Sequence, residues 1–327
     1  MEQRILGKTG RNVSIVGLGT WQLGADWGKV DPAQAQAILA ASAEAGVTFF
    51  DTADVYGDGR SEQAIGKFLA DNPGLDITVG TKMGRRMEQR PENYNLANFR
   101  EWTDRSRRNL GTDCLDLVQL HCPPTAVYSN AEVYDALDTL VADGAIRNYG
   151  VSVERTDEAL EAMRHVGTST VQIILNAFRL KPLDEVLPAA EAAGVGIIAR
   201  VPLASGLLSG KYTRDTFFAA DDHRNYNRTG ASFDVGETFS GVDFGQGLQA
   251  VTDFEELVPD GVSTAQAAIA WIAAQDGVST VIPGARNVEQ ARSNAEAAGV
   301  GGIDATFDVG VREIYDKYFR ASIHPRW

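Results

Sequence analysis

The chain has 327 residues, 44% hydrophobic and 23% charged, an ordinary globular composition that suits one barrel or two smaller domains. Its formal charge of −14 argues against nucleic acid as a partner, because phosphate binding needs clustered Lys and Arg. No apolar run approaches the ~20 residues that span a bilayer, so no membrane partner is expected. Cys114 and Cys122 lack CxxC spacing, and the four histidines form no HxH or HExxH pair. Neither a disulfide framework nor a metal site is expected. The start, Met1-Glu2-Gln3-Arg4, has no apolar signal core, which with the two cysteines points to the cytoplasm.

In chain order, Gly7-Lys8-Thr9-Gly10 marks an early turn, and the run Val13-Ser14-Ile15-Val16 reads as strand one. Asp31 is a helix N-cap, Pro32 fits the first helical position and Gly46 stops that helix. Strand two ends at Asp51. Ser61 opens a helix with Ile65, Phe68 and Leu69 on one face. Strand three ends at Lys82, and a helix follows over about 95–110. Strand four ends at His121, with a helix from Ser129 or Asn130 to Asp143. Residues 147–152 give strand five, 171–175 strand six, 196–200 strand seven and 278–282 strand eight. Helices at 156–165, 183–193 and 287–298 follow strands five, six and eight, and 305–319 reads as a terminal helix.

Eight strands alternating with helices imply a parallel sheet. At this length a (β/α)8 TIM barrel is favoured, as one domain over residues 1–327. An open doubly wound sheet is the runner-up, but GxGxxG is absent after strand one, where Gly17-Leu18-Gly19 supplies a fragment only. A long loop after strand seven exceeds what one crossover needs. Its middle, 213–247, is rich in Gly, Asn, Asp and Phe without a clear period, which predicts a mobile lid.

Asp51, Tyr56, Lys82 and His121 each lie at or just past a strand end, and a parallel barrel gathers such residues on one face. Taken singly, each has an ordinary structural use as an ion pair, a packing aromatic or a capped imidazole. Together they make a tuned proton donor. A free tyrosine has a pKa of ~10. The Lys82 ammonium would lower that of Tyr56, Asp51 would hold Lys82 charged, and neutral His121 would donate to a carbonyl oxygen. Schiff-base chemistry at Lys82 is the competing use, and Asp51 works against it.

In the contexts FFDTADVYG, TK and LVQLH, these four residues resemble the catalytic tetrad of the aldo-keto reductases. The similarity continues through GLGTW (17–21), GVS (150–152), VPLASGLLSGKY (201–212) and VIPGARNVEQARSN (281–294). The resemblance implies an N-terminal β-hairpin cap on the barrel and an NAD(P)-dependent oxidoreductase. No side chain supplies hydride, so a nicotinamide cofactor is required.

Gly284-Ala285-Arg286 precedes a helix start, a ready anion site, and the resemblance puts the adenosine phosphates there. Arg286 is placed to pair with a 2′-phosphate, which favours NADPH and leaves NADH as an option. By resemblance Gln290 and Asn294 contact adenine, and Ser152 and Gln172 hold the nicotinamide carboxamide. Leu203, Ser205, Gly206 and Lys211 wrap the pyrophosphate, and Gly19, Thr20, Trp21 and Asp51 border the cofactor. Many family members carry an aromatic where this chain has Arg200. A guanidinium there can stack on the ring, reach a phosphate or reach the substrate.

Trp21, Tyr56 and His121 are the expected substrate contacts, and the substrate is a small carbonyl or sugar. Arginines at 85–90 and 224–228 suit an anionic or hydroxylated substrate, or else are solvated or bind the cofactor phosphates. No role is assigned to Cys122, and Trp327 is expected near the mouth or on the shell. A sugar or polyol dehydrogenase, and a cofactor-binding regulatory subunit, are the alternatives. No sequence feature specifies an oligomeric state.

Overall fold

The structure is a computed structural model and describes residues 1–24 and 31–327. Two short strands, β1 (Gln3–Ile5) and β2 (Asn12–Ser14), form an antiparallel hairpin. Eight parallel strands follow: β3 (Leu18–Gly19), β4 (Phe49–Asp51), β5 (Thr78–Met83), β6 (Leu115–His121), β7 (Ile146–Ser152), β8 (Thr168–Ile174), β9 (Gly196–Arg200) and β10 (Val278–Val281). Each pairs with the next in chain order. Parallel bridges from Val16 to Val281 and from Gly19 to Gly284 close the sheet into a barrel. The Gly17 N–H donates to the Val281 carbonyl at 2.8 Å across that seam.

Strand one therefore departs from the expected 13–16. Val13 and Ser14 belong to the hairpin, and the barrel strand starts later, at Leu18. The apolar run crosses from one element to the other, so its hydrophobicity carries no boundary. Leu6 and Val13 of the hairpin pack inside the barrel with Phe49, Leu117, Ile198 and Ile282. Gly7 abuts the start of β9 so closely that a Cβ there would lie 2.0 Å from the Gly196 nitrogen. The hairpin thus caps the amino-end face, opposite the strand ends that carry chemistry.

The helices are α1 (Trp21–Gly24), α2 (Pro32–Glu44), α3 (Arg60–Asp71), α4 (Leu96–Leu110), α5 (Ala131–Ala142), α6 (Thr156–Met163) and α7 (Lys181–Ala193). After them come α8 (His223–Tyr226), α9 (Phe244–Glu255), α10 (Thr264–Ala273), α11 (Val288–Glu296), α12 (Ala305–Tyr318) and α13 (Arg320–Ile323). Capping chemistry sets several starts. Asp31 accepts the Ala33 amide at 3.0 Å, Asn95 the Asn98 amide at 3.1 Å and Asn130 the Glu132 amide at 3.1 Å. The last contact selects Asn130 over Ser129. The β8 strand begins at Thr168, ahead of the expected 171, because Thr168 already pairs with Tyr149 of β7, and its buried hydroxyl is satisfied by the Ala162 carbonyl at 2.8 Å.

The loop after β9 is more structured than its composition suggests. Its centre forms the short α8 and two 3₁₀ turns, Val235–Glu237 and Phe239–Gly241. Phe218 meets Tyr212 at 5.2 Å and Phe239 meets Phe244 at 5.1 Å between ring centroids, with the Arg224 guanidinium 4.7 Å over Phe218. This is a small aromatic and cation–π core. Helix α10 was not expected: Ala267 to Ala273 are all buried, so no polar face alternates with an apolar one. Among the described residues, no helix is long and apolar enough to cross a membrane.

Candidate active site

The barrel brings Asp51, Tyr56, Lys82 and His121 together at its carboxyl-end face. Lys82, on β5, is 1% exposed. Its Nζ lies 2.5 Å from Asp51 Oδ1, 2.8 Å from the Thr52 carbonyl and 3.4 Å from the Tyr56 hydroxyl. The other Asp51 oxygen accepts Gln172 Nε2 at 2.7 Å. The Tyr56 ring stands edge-on to His121, centroids 5.8 Å apart, and stacks at 6.2 Å against Trp21. Ser61, in the first turn of α3, clasps the supporting loops: its hydroxyl meets Thr20 Oγ1 at 2.8 Å and Thr52 Oγ1 at 2.9 Å. Thr20 in turn donates to the Asp51 carbonyl at 2.8 Å. The turn that carries Tyr56 is thereby tied to the strand end that carries Asp51.

Burial works against the Lys82 ammonium, but Asp51 and the Tyr56 hydroxyl outweigh it and hold its pKa above the ordinary value. Burial raises the Asp51 carboxyl against the pull of Lys82 and Gln172. His121 is held well below its ordinary value by burial and then by Arg85, Lys82 and Arg200, so its ring is neutral. The expectation for Tyr56 needs correction. Lys82 does pull the phenol down, but burial is the larger effect and leaves its pKa raised.

A cavity of about 930 Å3 opens from the tetrad toward the start of α11. Every residue expected at the cofactor lines it except Ala285, which is buried in the wall behind. Gln290 and Asn294 are preset by the loop itself. Gln290 Oε1 accepts the Arg286 amide at 2.9 Å, and Asn294 Nδ2 donates to the Gly284 carbonyl at 3.1 Å. Ser205 is engaged as a staple: its hydroxyl donates to the Glu237 carbonyl and accepts the Phe239 amide, both at 3.0 Å. The donor set fits a dinucleotide. Amide and hydroxyl groups of Gln172 and Ser152 stand by the tetrad, and Lys211 and Arg286 supply cationic donors farther along the same cavity.

Arg200 is committed to protein acceptors. Nη1 pairs with Glu237 at 2.6 Å, and Nη2 reaches Glu154 at 3.1 Å and the Val153 carbonyl at 2.9 Å. Arg85 completes the cluster, 3.6 Å from Glu154, and its Nε donates to the His121 carbonyl at 3.0 Å. Burial opposes charge on Glu237, but Arg200 and Arg85 outweigh it and hold its pKa at about 2. Burial and the neighbouring Glu237 push Glu154 up to about 8. Cys122 is pushed up to about 12 by burial and Glu154, so it stays an unreactive thiol. Its sulfur and the two carboxylates lie within 4.8 Å of one another, and the cation among them is the Arg200 guanidinium.

Sequence reasoning missed Glu154, Glu237 and Asn176. Asn176 is fully buried and donates to the Val201 carbonyl at 2.9 Å and to Ser240 Oγ at 2.7 Å, which joins β8 to the loop after β9. It lies just past the end of β8, close to where Lys82 and His121 sit in the last residues of β5 and β6, and that signal was available. The glutamates had no local signal, because their partners are distant in sequence. Trp327, expected at the mouth or on the shell, is buried against the loop, its Nε1 donating to Asp234 Oδ1 at 3.0 Å.

Comparison with known proteins agrees with this geometry. The family model described as "Aldo/keto reductase family" matches residues 15–305. The Bacillus subtilis protein named uncharacterized oxidoreductase YqkF is 31% identical over 302 residues, 91% of each chain. A probable voltage-gated potassium channel subunit beta from Oryza sativa subsp. japonica is 32% identical over 316 residues, 92% of each chain. Aldo-keto reductase yakc [NADP(+)] from Schizosaccharomyces pombe is 27% identical over 322 residues, 95% of this chain and 90% of its own. The solved structure of glycerol dehydrogenase AKR11B4 from Gluconobacter oxydans superposes with a TM-score of 0.81 at 28% identity, covering 99% of this chain and 98% of that one. A closed parallel barrel, a tetrad at its carboxyl face and a family match over nearly the whole length lead to one conclusion: this chain belongs to the aldo/keto reductase family, a family of oxidoreductases of carbonyl and alcohol groups.

Proposed function

We propose that the protein is an NADPH-preferring reductase of an aldehyde, ketone or sugar-like carbonyl, with Tyr56 as proton donor, working in the cytoplasm as a single barrel domain. The observation that carries this reading is the contact of Lys82 Nζ with both Asp51 and the Tyr56 hydroxyl, beside a neutral His121. When bound, the cofactor supplies the hydride that no side chain can.

The raised pKa of Tyr56 keeps the phenol protonated until negative charge develops on the substrate oxygen. Proton loss then leaves a phenolate beside the Lys82 ammonium, which stabilises it. Neutral His121 donates to the same oxygen without adding a second cation. Asp51 keeps Lys82 charged and placed, and Gln172 fixes the Asp51 carboxylate. Ser152 and Gln172 are suited to the nicotinamide carboxamide, Gln290 and Asn294 to adenine, and Arg286 to a 2′-phosphate. The name of the Schizosaccharomyces relative includes NADP(+), which supports the same cofactor choice.

Likeness to the Gluconobacter glycerol dehydrogenase favours a second reading, oxidation of a polyol through the same residues run in reverse. NADPH absorbance followed with a panel of aldehydes, ketones and aldoses, and NADP+ reduction followed with polyols, tests both. Turnover with no member of either panel would contradict both and leave the regulatory-subunit alternative, which the likeness to the rice channel subunit keeps in play.

A further inference from the structure

We infer that Arg200 is a positioning residue: paired with Glu237, it fastens the turn that sets the substrate-side wall of the cavity. This deepens the reductase reading and rests on it for its kinetic test only.

Glu237 closes the 3₁₀ turn Val235–Glu237 in the loop after β9. Its carboxylate lies 2.6 Å from Arg200 Nη1, with the two side chains 13% and 9% exposed. The Ser205 hydroxyl makes a second stitch to the Glu237 carbonyl at 3.0 Å. From this turn the restraint passes to the wall through Asn227. Its side-chain oxygen accepts the amides of Ser232 and Phe233 at 2.9 and 3.1 Å, and its nitrogen donates to Thr238 Oγ1 at 3.2 Å. Asn227 follows directly on α8, so the turn, Phe233 and His223 hold one arrangement. Phe233 and His223 then face Trp21, with ring centroids 6.5 and 5.2 Å away, and Trp21 stacks on Tyr56.

The same turn is braced from its other side. Trp327 donates to Asp234, and the Arg179 guanidinium lies 4.3 Å over the Trp327 ring. A Cβ on Gly236 would come within 2.3 Å of Arg179 Nη1, so the turn sits tightly against this second guanidinium.

Both terminal nitrogens of Arg200 are taken by protein acceptors, so neither is available as a donor to a cofactor phosphate or to the substrate. An aromatic at this position would strip Glu237 of its direct ion-pair partner and leave the more distant Arg85 to balance a buried charge, a destabilising state. The residue and its glutamate therefore form one device, and the residues it holds in place meet the substrate.

Glu237→Gln keeps the shape of the side chain and removes the charge, and Arg200→Lys keeps a cation while losing the planar fork. For a carbonyl that the protein reduces, we expect KM to rise about tenfold or more in either variant, with kcat falling less than about threefold. The NADPH Kd from fluorescence titration should stay within about twofold. Hydrogen exchange of residues 227–241, in protein without substrate, should quicken about tenfold or more. The exchange experiment needs no turnover, so it decides the inference even where the reductase reading fails. A weakened NADPH Kd with unchanged KM would overturn it by making Arg200 a cofactor residue. Exchange equal to wild type in folded variants would overturn it as well, and if one variant does not fold the other carries both measurements.

Discussion

Lys82 Nζ lies 2.5 Å from Asp51 Oδ1, with both side chains sealed from solvent. A buried ion pair gains little stability over an apolar pair, because both charges lose their water, but removing one partner is costly. Its place beside Tyr56 gives the pair a use that stability alone does not. It keeps a positive charge at a fixed position next to the hydroxyl that loses its proton.

Removing that charge should harm both fold and chemistry. Lys82→Met leaves Asp51 buried with Gln172 as its remaining side-chain donor. Unfolding free energy from urea titration should fall by about 3–5 kcal/mol, the usual cost of orphaning one member of a buried pair. In the fraction that remains folded, carbonyl reduction should drop at least ~10²-fold. Full stability in this variant would mean that Asp51 is held neutral.

Cofactor preference is expected to rest on Arg286, which lines the cavity ahead of α11. Arg286→Ala should weaken NADPH roughly 10- to 100-fold, the loss of one charge-assisted hydrogen bond, and weaken NADH much less. Fluorescence titration with both cofactors checks this, and equal weakening would remove Arg286 from 2′-phosphate recognition.

A pH dependence should come from Asp54, in the turn that carries Tyr56. The residue is fully buried and neither carboxylate oxygen finds a side-chain donor. Burial, and then Glu62, push its pKa up to about 7 against the pull of Arg86 and Arg105. An acid whose pKa is raised on folding binds protons more tightly in the native state. Its stabilising share is present below the ordinary value of 3.8 and is lost as pH climbs through about 7. Asp54→Asn should therefore flatten the thermal stability profile over that interval and exceed wild type above it, by about 1–3 kcal/mol. An unchanged slope in melting temperature against pH would show that other groups set it.

How much of this was legible in sequence depended on how far each signal reached. Asp51, Lys82 and His121 stood out because each polar residue ends an apolar run, and a parallel barrel converts that pattern into convergence. Asp31, with Pro32 after it and Gly46 at the far end, announced a helix through its boundary residues, and the structure seats the Ala33 amide on the Asp31 side chain. Helix α10 stayed hidden because burial on every side erases periodicity, although the Ser263 and Gln266 capping box was readable at its start. The Arg200, Glu154 and Glu237 cluster was illegible for a different reason. Its members are joined only by folding, and no local pattern distinguishes a glutamate that will meet a buried arginine from one on the surface. The raised pKa of Tyr56 likewise follows from burial, which residue types alone do not measure.

Tyr56→Phe gives the most direct test of the proposed chemistry, because it keeps the ring that stacks on Trp21 and removes only the transferable proton. Single-turnover reduction of a carbonyl substrate, followed by NADPH absorbance alongside NADPH affinity, should show a rate lowered at least ~10²-fold with binding nearly unchanged. A Phe variant that turns over at the wild-type rate would show that the proton comes from elsewhere.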